Sequence, residues 1–370
     1  MLLLLVVHGL LHLIGFARDS LGVVFSGLTG TTLFVLPAPL SKATGALWLI
    51  ACLVFLTAAA LLALRQPQWW MVATVGIVLS QLLVLYAWPD AKTGTLANLA
   101  LAIFVIAAAA GAHFDRQTKD AVSVLIAGAH RDHTEAIRSE DLATLPAPVR
   151  RWLESSGVVG RPRPRIVRLQ QRGAMKTAPE GKPMEANAEQ YFTLDPPGFV
   201  WGVDVTMFGL PIAGRDSYGD GHGQMLIKAA GVWPVVDAHG HAIDQGTLLR
   251  FLGELVWFPS AAVERYLRWE AIDDAHARVT ITHGGLAASA VFTFEPDGRV
   301  SEMRAQRFYT GDGEAKLEPW GDKTTEWKRF DGVLVPSKGE VFWDLKAGRF
   351  TYYTWQITDL QYDPPAASTS

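Results

Sequence analysis

LLRFLGELVWFPSA, residues 248–261, carries eight large apolar side chains and a single carboxylate, Glu254. On a helix, Leu248, Phe251, Leu252, Leu255, Val256 and Phe258 form a face about half the circumference wide, with Leu249 at its margin. Arg250 and Glu254 share the other side, four residues apart, with Trp257 between them in projection. So apolar a helix needs a surface to cover. The flanking sequence says what that surface is.

From Arg165 onward the hydrophobic period is two. In FVWGVDVTMF, Phe199, Trp201, Val203, Val205 and Met207 alternate with smaller or polar neighbours, and ARVTITH, ASAVFTF, GEVFWDL and FTYYTWQIT behave alike. Turn signals separate these runs: DPPG at 195, GDGHG at 219, DAHGH at 237, EPDG at 295, FDGV at 330 and KAG at 346. Strands joined by such short links are antiparallel neighbours, which excludes a βαβ sheet. The expectation for residues 146–363 is therefore an α+β domain, a large curved antiparallel β-meander or half-barrel. Its concave apolar face takes a covering helix near 247–259. LPAPVRRWLESSG, with prolines at its start and Gly157 at its end, reads as a short capped helix before the first strand.

The other end of the chain is built for a different solvent. Of the 69 charged residues only six (Arg18, Asp19, Lys42, Arg65, Asp90 and Lys92) precede residue 114. Apolar runs cover 1–17, 43–64, 69–88 and 93–113. A spanning helix needs about 20 apolar residues, because it crosses about 30 Å at about 1.5 Å per residue. The last three runs reach that length. The first is shorter and lacks a basic n-region and a cleavage site, so it reads as a retained helix. Trp69, Trp70 and Trp88 bracket the third span at interfacial depth.

The reading is an N-terminal α-helical membrane bundle of about four spans (1–113). A juxtamembrane helix and linker (114–145) and the β domain follow, with a disordered tail at 364–370. Residues 20–39 form an interfacial or re-entrant loop, and Asp90 and Lys92 cap the fourth span. The setting is a membrane that the chain crosses several times. Arg65, Arg116, Lys119 and Arg131 set against Arg18, Lys42 and Lys92 lean the C-terminal domain to the cytoplasmic side. The single cysteine, Cys52, leaves the polar half without a disulfide of its own, which fits a reducing compartment. That half is mildly acidic, and no nucleic acid is expected as a partner.

Polar side chains inside the spans are His8, His12, Gln81 and Asn98. The two histidines share a helix face, compatible with a metal or haem edge, with interhelical hydrogen bonds to Gln81 or Asn98, or with simple interface placement. His130, Asp132 and His133 look ligand-like but have no further ligand at regular spacing. GRDSYGDGHGQM (214–225) is the densest polar cluster, and in an extended strand Asp216, Asp220 and His222 fall on one side. As a calcium loop it fails at Tyr218 and Ile227, and as a phosphate loop it lacks the Lys-Ser/Thr pair, leaving a glycine-rich hairpin or an acid–base group. No metal or cofactor is expected. Glu254 either pairs with Arg250 at the rim or sets the polarity of a cavity mouth. In SEMRAQRF, Arg307 takes the phase of Met303 and Ala305, so it faces inward and needs Glu254 or Asp216 as partner. The candidate ligand-binding residues are Arg215, Asp216, His222, Glu254, Trp257, Trp269 and Arg307, and no catalytic residue is assigned.

HGLLHLIGF, WPDAKTGTLAN, LPAPVRRWL, GRDSYGDGHGQM, LLRFLGELVWFP and YLRWEAID together resemble an uncharacterised bacterial family in which an N-terminal multi-span membrane region precedes a C-terminal β-rich domain of unknown function. In architecture the expected half-barrel is similar to Lol-type lipoprotein carriers, a resemblance that implies a concave face holding acyl chains. The readings that follow are a membrane-anchored binding module for a lipid or isoprenoid-like ligand, an enzyme acting on a lipid-like substrate in the same cavity, or an accessory subunit docking another membrane protein. The lipid bilayer is a partner in all three.

Overall fold

Four helices in the first third of the chain are long and apolar enough to cross a membrane. In a computed structural model, which describes residues 1–35, 37–130, 135–207, 209–311, 313 and 315–365, these are α1 (Leu2–Leu21), α2 (Ala38–Ala63), α3 (Trp69–Tyr86) and, after the four-residue α4 (Trp88–Ala91), α5 (Gly94–Gly128). The chain divides into two units, Met1–His113 with Ala230–Val232, and Phe114–Ala229 with Trp233–Ser370. Asp132 and His133 lie outside the described residues, as do 366–370 of the expected tail.

One local expectation changes. Asp90 does not cap the last span. It accepts hydrogen bonds from the Thr29 and Gly30 amides at 2.9 and 2.8 Å and from the Thr29 hydroxyl at 2.8 Å, so it holds the loop that follows α1. The boundary at 113, where the two units divide, falls inside α5. The helix runs on for 35 residues to Gly128, because no glycine–proline pair or cap interrupts FDRQTKDAVSVLIAG.

In the second unit α6 (Ala147–Ser156) leads to one sheet of thirteen strands, all pairs antiparallel. The first six are β1 (Ile166–Met175), β2 (Met184–Leu194), β3 (Pro197–Met207), β4 (Leu210–Gly219), β5 (His222–Ala229) and β6 (Trp233–His239). Then comes α7 (His241–Glu254). The rest are β7 (Leu267–Ala271), β8 (His276–His283), β9 (Leu286–Phe294), β10 (Val300–Tyr309), β11 (Lys316–Phe330), β12 (Val333–Leu345) and β13 (Gly348–Tyr362). The order is β6-β5-β4-β3-β2-β1-β13-β12-β11-β10-β9-β8-β7. The chain enters at the centre with β1, walks outward to β6, crosses to the opposite edge at β7 and walks back to pair β13 with β1.

That order dictates where α7 must lie. The link from one edge to the other has to pass over a face of the sheet, and it takes the concave one, where α7 touches β3, β4 and β5 in one arm and β8, β9 and β10 in the other. Strand twist curls the sheet, and register shifts at Gln170/Gln171, Ile227/Lys228 and Val341/Phe342 add local bends. The curl brings the β4–β5 turn onto the β8–β9 turn. A Cβ on Gly284 would sit 2.2 Å from the Cα of Gly221, so that contact admits only glycine on both tips. Beside it the Tyr218 hydroxyl and His283 Nδ1 are 2.9 Å apart, tying the two arms together.

The covering helix differs in extent from its expected bounds. It starts at His241, ahead of 247, because HAIDQGT carries a single large apolar side chain, Ile243, too little to leave a periodic trace. It ends at Glu254, ahead of 259. Leu255–Trp257 and Pro259–Val263 are 3-10 turns, and Pro259 has no N–H with which to continue an α-helix. Leu248, Leu249, Phe251, Leu252, Leu255 and Phe258 are fully buried, which is worth roughly 1.5–3 kcal/mol for each side chain. Phe192 of β2 is the hub, with ring centroids 4.7 Å from Phe258 and 6.2 Å from Phe251.

Candidate functional site

The polar side of α7 is not a solvent face. The side chains of Arg250 and Glu254 are only 14% and 12% exposed, and what they meet is set by strand register. Gln190 of β2 pairs with Trp201 of β3, and Trp201 with Asp216 of β4, so these three form one cross-strand row on the concave face. Arg250 lies over that row, its guanidinium carbon 4.5 Å from the Trp201 ring centroid and 5.1 Å from that of Phe199. Its Nη1 donates to Asp216 Oδ2 at 2.7 Å and its Nε to Glu254 Oε1 at 2.8 Å. Gln190 Nε2 donates to the other Glu254 oxygen at 2.7 Å. One guanidinium thus serves two carboxylates and two rings.

Burial pushes the carboxyls of Asp216 and Glu254 upward, while the Arg250 charge pulls both back down. Arg250 itself stays cationic between its two partners. A second polar group lies toward β13. Trp201 Nε1 and the Tyr353 hydroxyl both donate to Gln171 Oε1, at 3.4 and 3.0 Å. Trp355 Nε1 donates to Asp322 Oδ2 at 3.2 Å. Burial raises the Asp322 carboxyl to about 8, against the pull of the Trp355 N–H, and the charges of Glu254 and Glu340 raise it further.

The residues singled out from sequence scatter. Asp216 and Glu254 come together through Arg250. Arg307 does not join them as an ion-pair partner: it packs on Trp320 and Trp343 at 4.8 and 5.9 Å, and acts on Asp216 only through its charge. The reason is geometric, since Arg250 projects from α7 directly onto the row that carries Asp216. His222 is exposed at the start of β5 and Asp220 sits in the turn, so the Asp216, Asp220 and His222 group is not assembled. Adjacent residues on a strand point to opposite faces. Arg215 accordingly turns away from Asp216, donating to Gln224 at 3.4 Å and lying 5.7 Å from the Phe114 ring. Trp269 is core, its Nε1 bonded to the Ala262 carbonyl at 2.9 Å and its ring 5.6 Å from Phe292. Trp257 is buried and meets Trp355 edge-on at 5.1 Å.

The sequence reading passed over Gln190, Gln171 and Asp322. A signal existed: in EANAEQYFTL, Gln190 takes the phase of Ala186, Ala188, Phe192 and Leu194, and Asp322 takes the phase of Trp320. Polar residues in the inward phase of a strand need a partner. The partners themselves are set by register, which no single strand encodes.

In the first unit His8, His12, Ser80 and Asn98 are buried together. His8 Nε2 is 2.8 Å from Asn98 Oδ1 and 3.2 Å from Ser80 Oγ, while His12 Nε2 is 2.9 Å from the same hydroxyl. Asn98 Nδ2 donates to Gln81 at 3.0 Å, and Gln81 donates to Thr95 at 3.2 Å. This is interhelical hydrogen bonding, one of the three arrangements the sequence left open for the histidine pair.

Residues 135–355, more than half of the chain, match the family of unknown function DUF6544. The chain belongs to that family. No curated protein matches this DUF6544 member. Similar solved structures include a LolA superfamily protein from Nitrosomonas europaea (13% identity, 57% of this chain and 91% of that one, TM-score 0.31). Two others are an outer membrane lipoprotein-sorting protein domain from Vibrio parahaemolyticus (8% identity, 55% and 87%, TM-score 0.29) and a DUF1329 family protein from Desulfovibrio piger (10% identity, 60% and 95%, TM-score 0.29).

Proposed function

We propose that the half-barrel of this DUF6544 member is a membrane-tethered binding module for an apolar, lipid-like ligand. In this reading α7 is the lid that leaves the concave face when the ligand enters. The observation that carries the reading is the double character of α7. It is a single helix on the β6-to-β7 crossing, buried around its circumference from Gly246 to Gly253, and it meets the sheet through apolar side chains, the Gly223 amide donating to Asp244 at 2.7 Å, and a polar latch of Arg250 with Asp216, Glu254 and Gln190. An acyl chain replaces the apolar contacts of α7 at little net cost, because one apolar surface substitutes for another. The latch gives the closed state its register and orientation.

The enzyme reading loses its main support, because His222 lies apart from Asp216 and Glu254. Docking of another membrane protein keeps one observation in its favour: edge strand β6 leaves Trp233 and Val235 74% and 58% exposed. Native mass spectrometry of the full chain released from detergent separates these readings. Lipid-sized adducts that survive activation and grow more abundant in Arg250→Met support the binding module. A ligand-free spectrum from both proteins, after incubation with mixed phospholipid vesicles, removes it.

A further inference from the structure

Two buried polar atoms in the half-barrel have no hydrogen-bond partner among the described residues and border the same ring. One is Trp257 Nε1, in the turn that follows α7; the other is Asp322 Oδ1, on β11. Trp355 touches both residues, edge-on to Trp257 at 5.1 Å and bonded through its own Nε1 to Asp322 Oδ2 at 3.2 Å. An indole N–H and a carboxyl oxygen shut away from water each leave a free-energy deficit that a matching ligand group removes. Trp257 is only 3% exposed, its ring packs edge-on against Trp355, and its carbonyl is held by the Tyr362 hydroxyl at 2.8 Å.

We propose that Trp257 Nε1 and Asp322 Oδ1 form a polar subsite that takes the neutral carbonyl of an acyl ester or acyl amide, with the chain lying along the apolar concave face. This assignment rests on the lid reading above and names the ligand end that the interior recognises. The chemistry fits a carbonyl. With Oδ2 already accepting from Trp355, a protonated Asp322 presents its O–H from Oδ1, and Trp257 presents an N–H, giving two donors to one acceptor oxygen. Burial keeps the Asp322 carboxyl protonated at neutral pH, since it titrates at about 8. A free carboxylate is disfavoured, because Glu254 already places negative charge near Asp322.

The test is equilibrium binding of radiolabelled methyl palmitate, N-methylpalmitamide and hexadecane to the full chain in nonionic detergent. The ester, the amide or both bind about tenfold tighter than hexadecane, and which of them does so distinguishes an ester-linked lipid from an N-acylated ligand. That preference falls to within about twofold in Trp257→Phe, which keeps a six-membered ring but loses the N–H, and in Asp322→Leu, whereas Asp322→Asn, an amide donor, retains it. Equal binding of all three probes overturns the subsite and leaves the lid reading standing. A carbonyl preference that survives both Trp257→Phe and Asp322→Leu overturns the assignment to these residues. No binding of any probe removes the subsite and the lid reading together.

Discussion

Arg250 is the residue on which the interior turns. Removing it leaves Asp216 and Glu254 buried against each other, so Arg250→Met in the full chain is expected to destabilise the second unit by about 3–5 kcal/mol, read as a fall in melting temperature at neutral pH. Restoring neutrality with Asp216→Asn and Glu254→Gln in the same chain recovers most of that loss. Asp322 carries the pH dependence. Its folded value of about 8 lies above its ordinary 3.8, so between those limits the folded state holds a proton that the unfolded state has released. Stability therefore falls as pH rises through that window, by up to about 1.4 kcal/mol per pH unit. Asp322→Asn flattens the melting-temperature profile between pH 5 and 8.5; a variant profile parallel to wild type contradicts the assignment. Half of this chemistry was legible. The spacing of Arg250 and Glu254 offered their pairing as one of two readings, but Asp216 and Gln190 reach Arg250 only through the β2–β3–β4 register, which sequence periodicity does not fix.

At the scale of elements, α7 was legible where its side chains are large. The 248–258 run gave its apolar face, and the 241–247 turns gave no signal because Ile243 is their one large apolar residue. The opposite face was read only as a rim pair or a cavity mouth. An arginine and a glutamate four apart ordinarily mark solvent, and only a sheet that curls around the helix turns that face inward as well. The tightest approach is at β5: a Cβ on Gly223 would lie 2.2 Å from Thr247 Oγ1 and 2.9 Å from the Ile243 carbonyl oxygen. Gly223→Ala therefore pushes α7 outward at a cost of about 1–3 kcal/mol and raises binding of an apolar fluorescent dye to the full chain. Unchanged melting and dye binding count against a tight α7–β5 contact. At the hairpin tips, Tyr218→Phe removes the hydroxyl facing His283 and lowers stability by about 0.5–1.5 kcal/mol, measured by thermal unfolding, without altering the cluster around Arg250.

For the whole molecule, two solvents were written plainly into composition, as an apolar N-terminal third and a period-two remainder. What no composition reveals is that β1 and β13 pair at the centre of the sheet, which makes the β6-to-β7 link an obligatory crossing and α7 a cover rather than an ornament at one edge. The central claim is that this cover moves. Cys52 is the only cysteine, so Cys52→Ala gives a background in which Leu249→Cys places a single thiol on the fully buried surface of α7. The decisive measurement is the rate of maleimide labelling of that thiol in the full chain, with and without phospholipid vesicles. The lid account predicts slow labelling alone and a rise of at least about tenfold with lipid, as the closed state gives way to the bound one. Lipid that binds while the thiol at 249 stays as protected as before contradicts it.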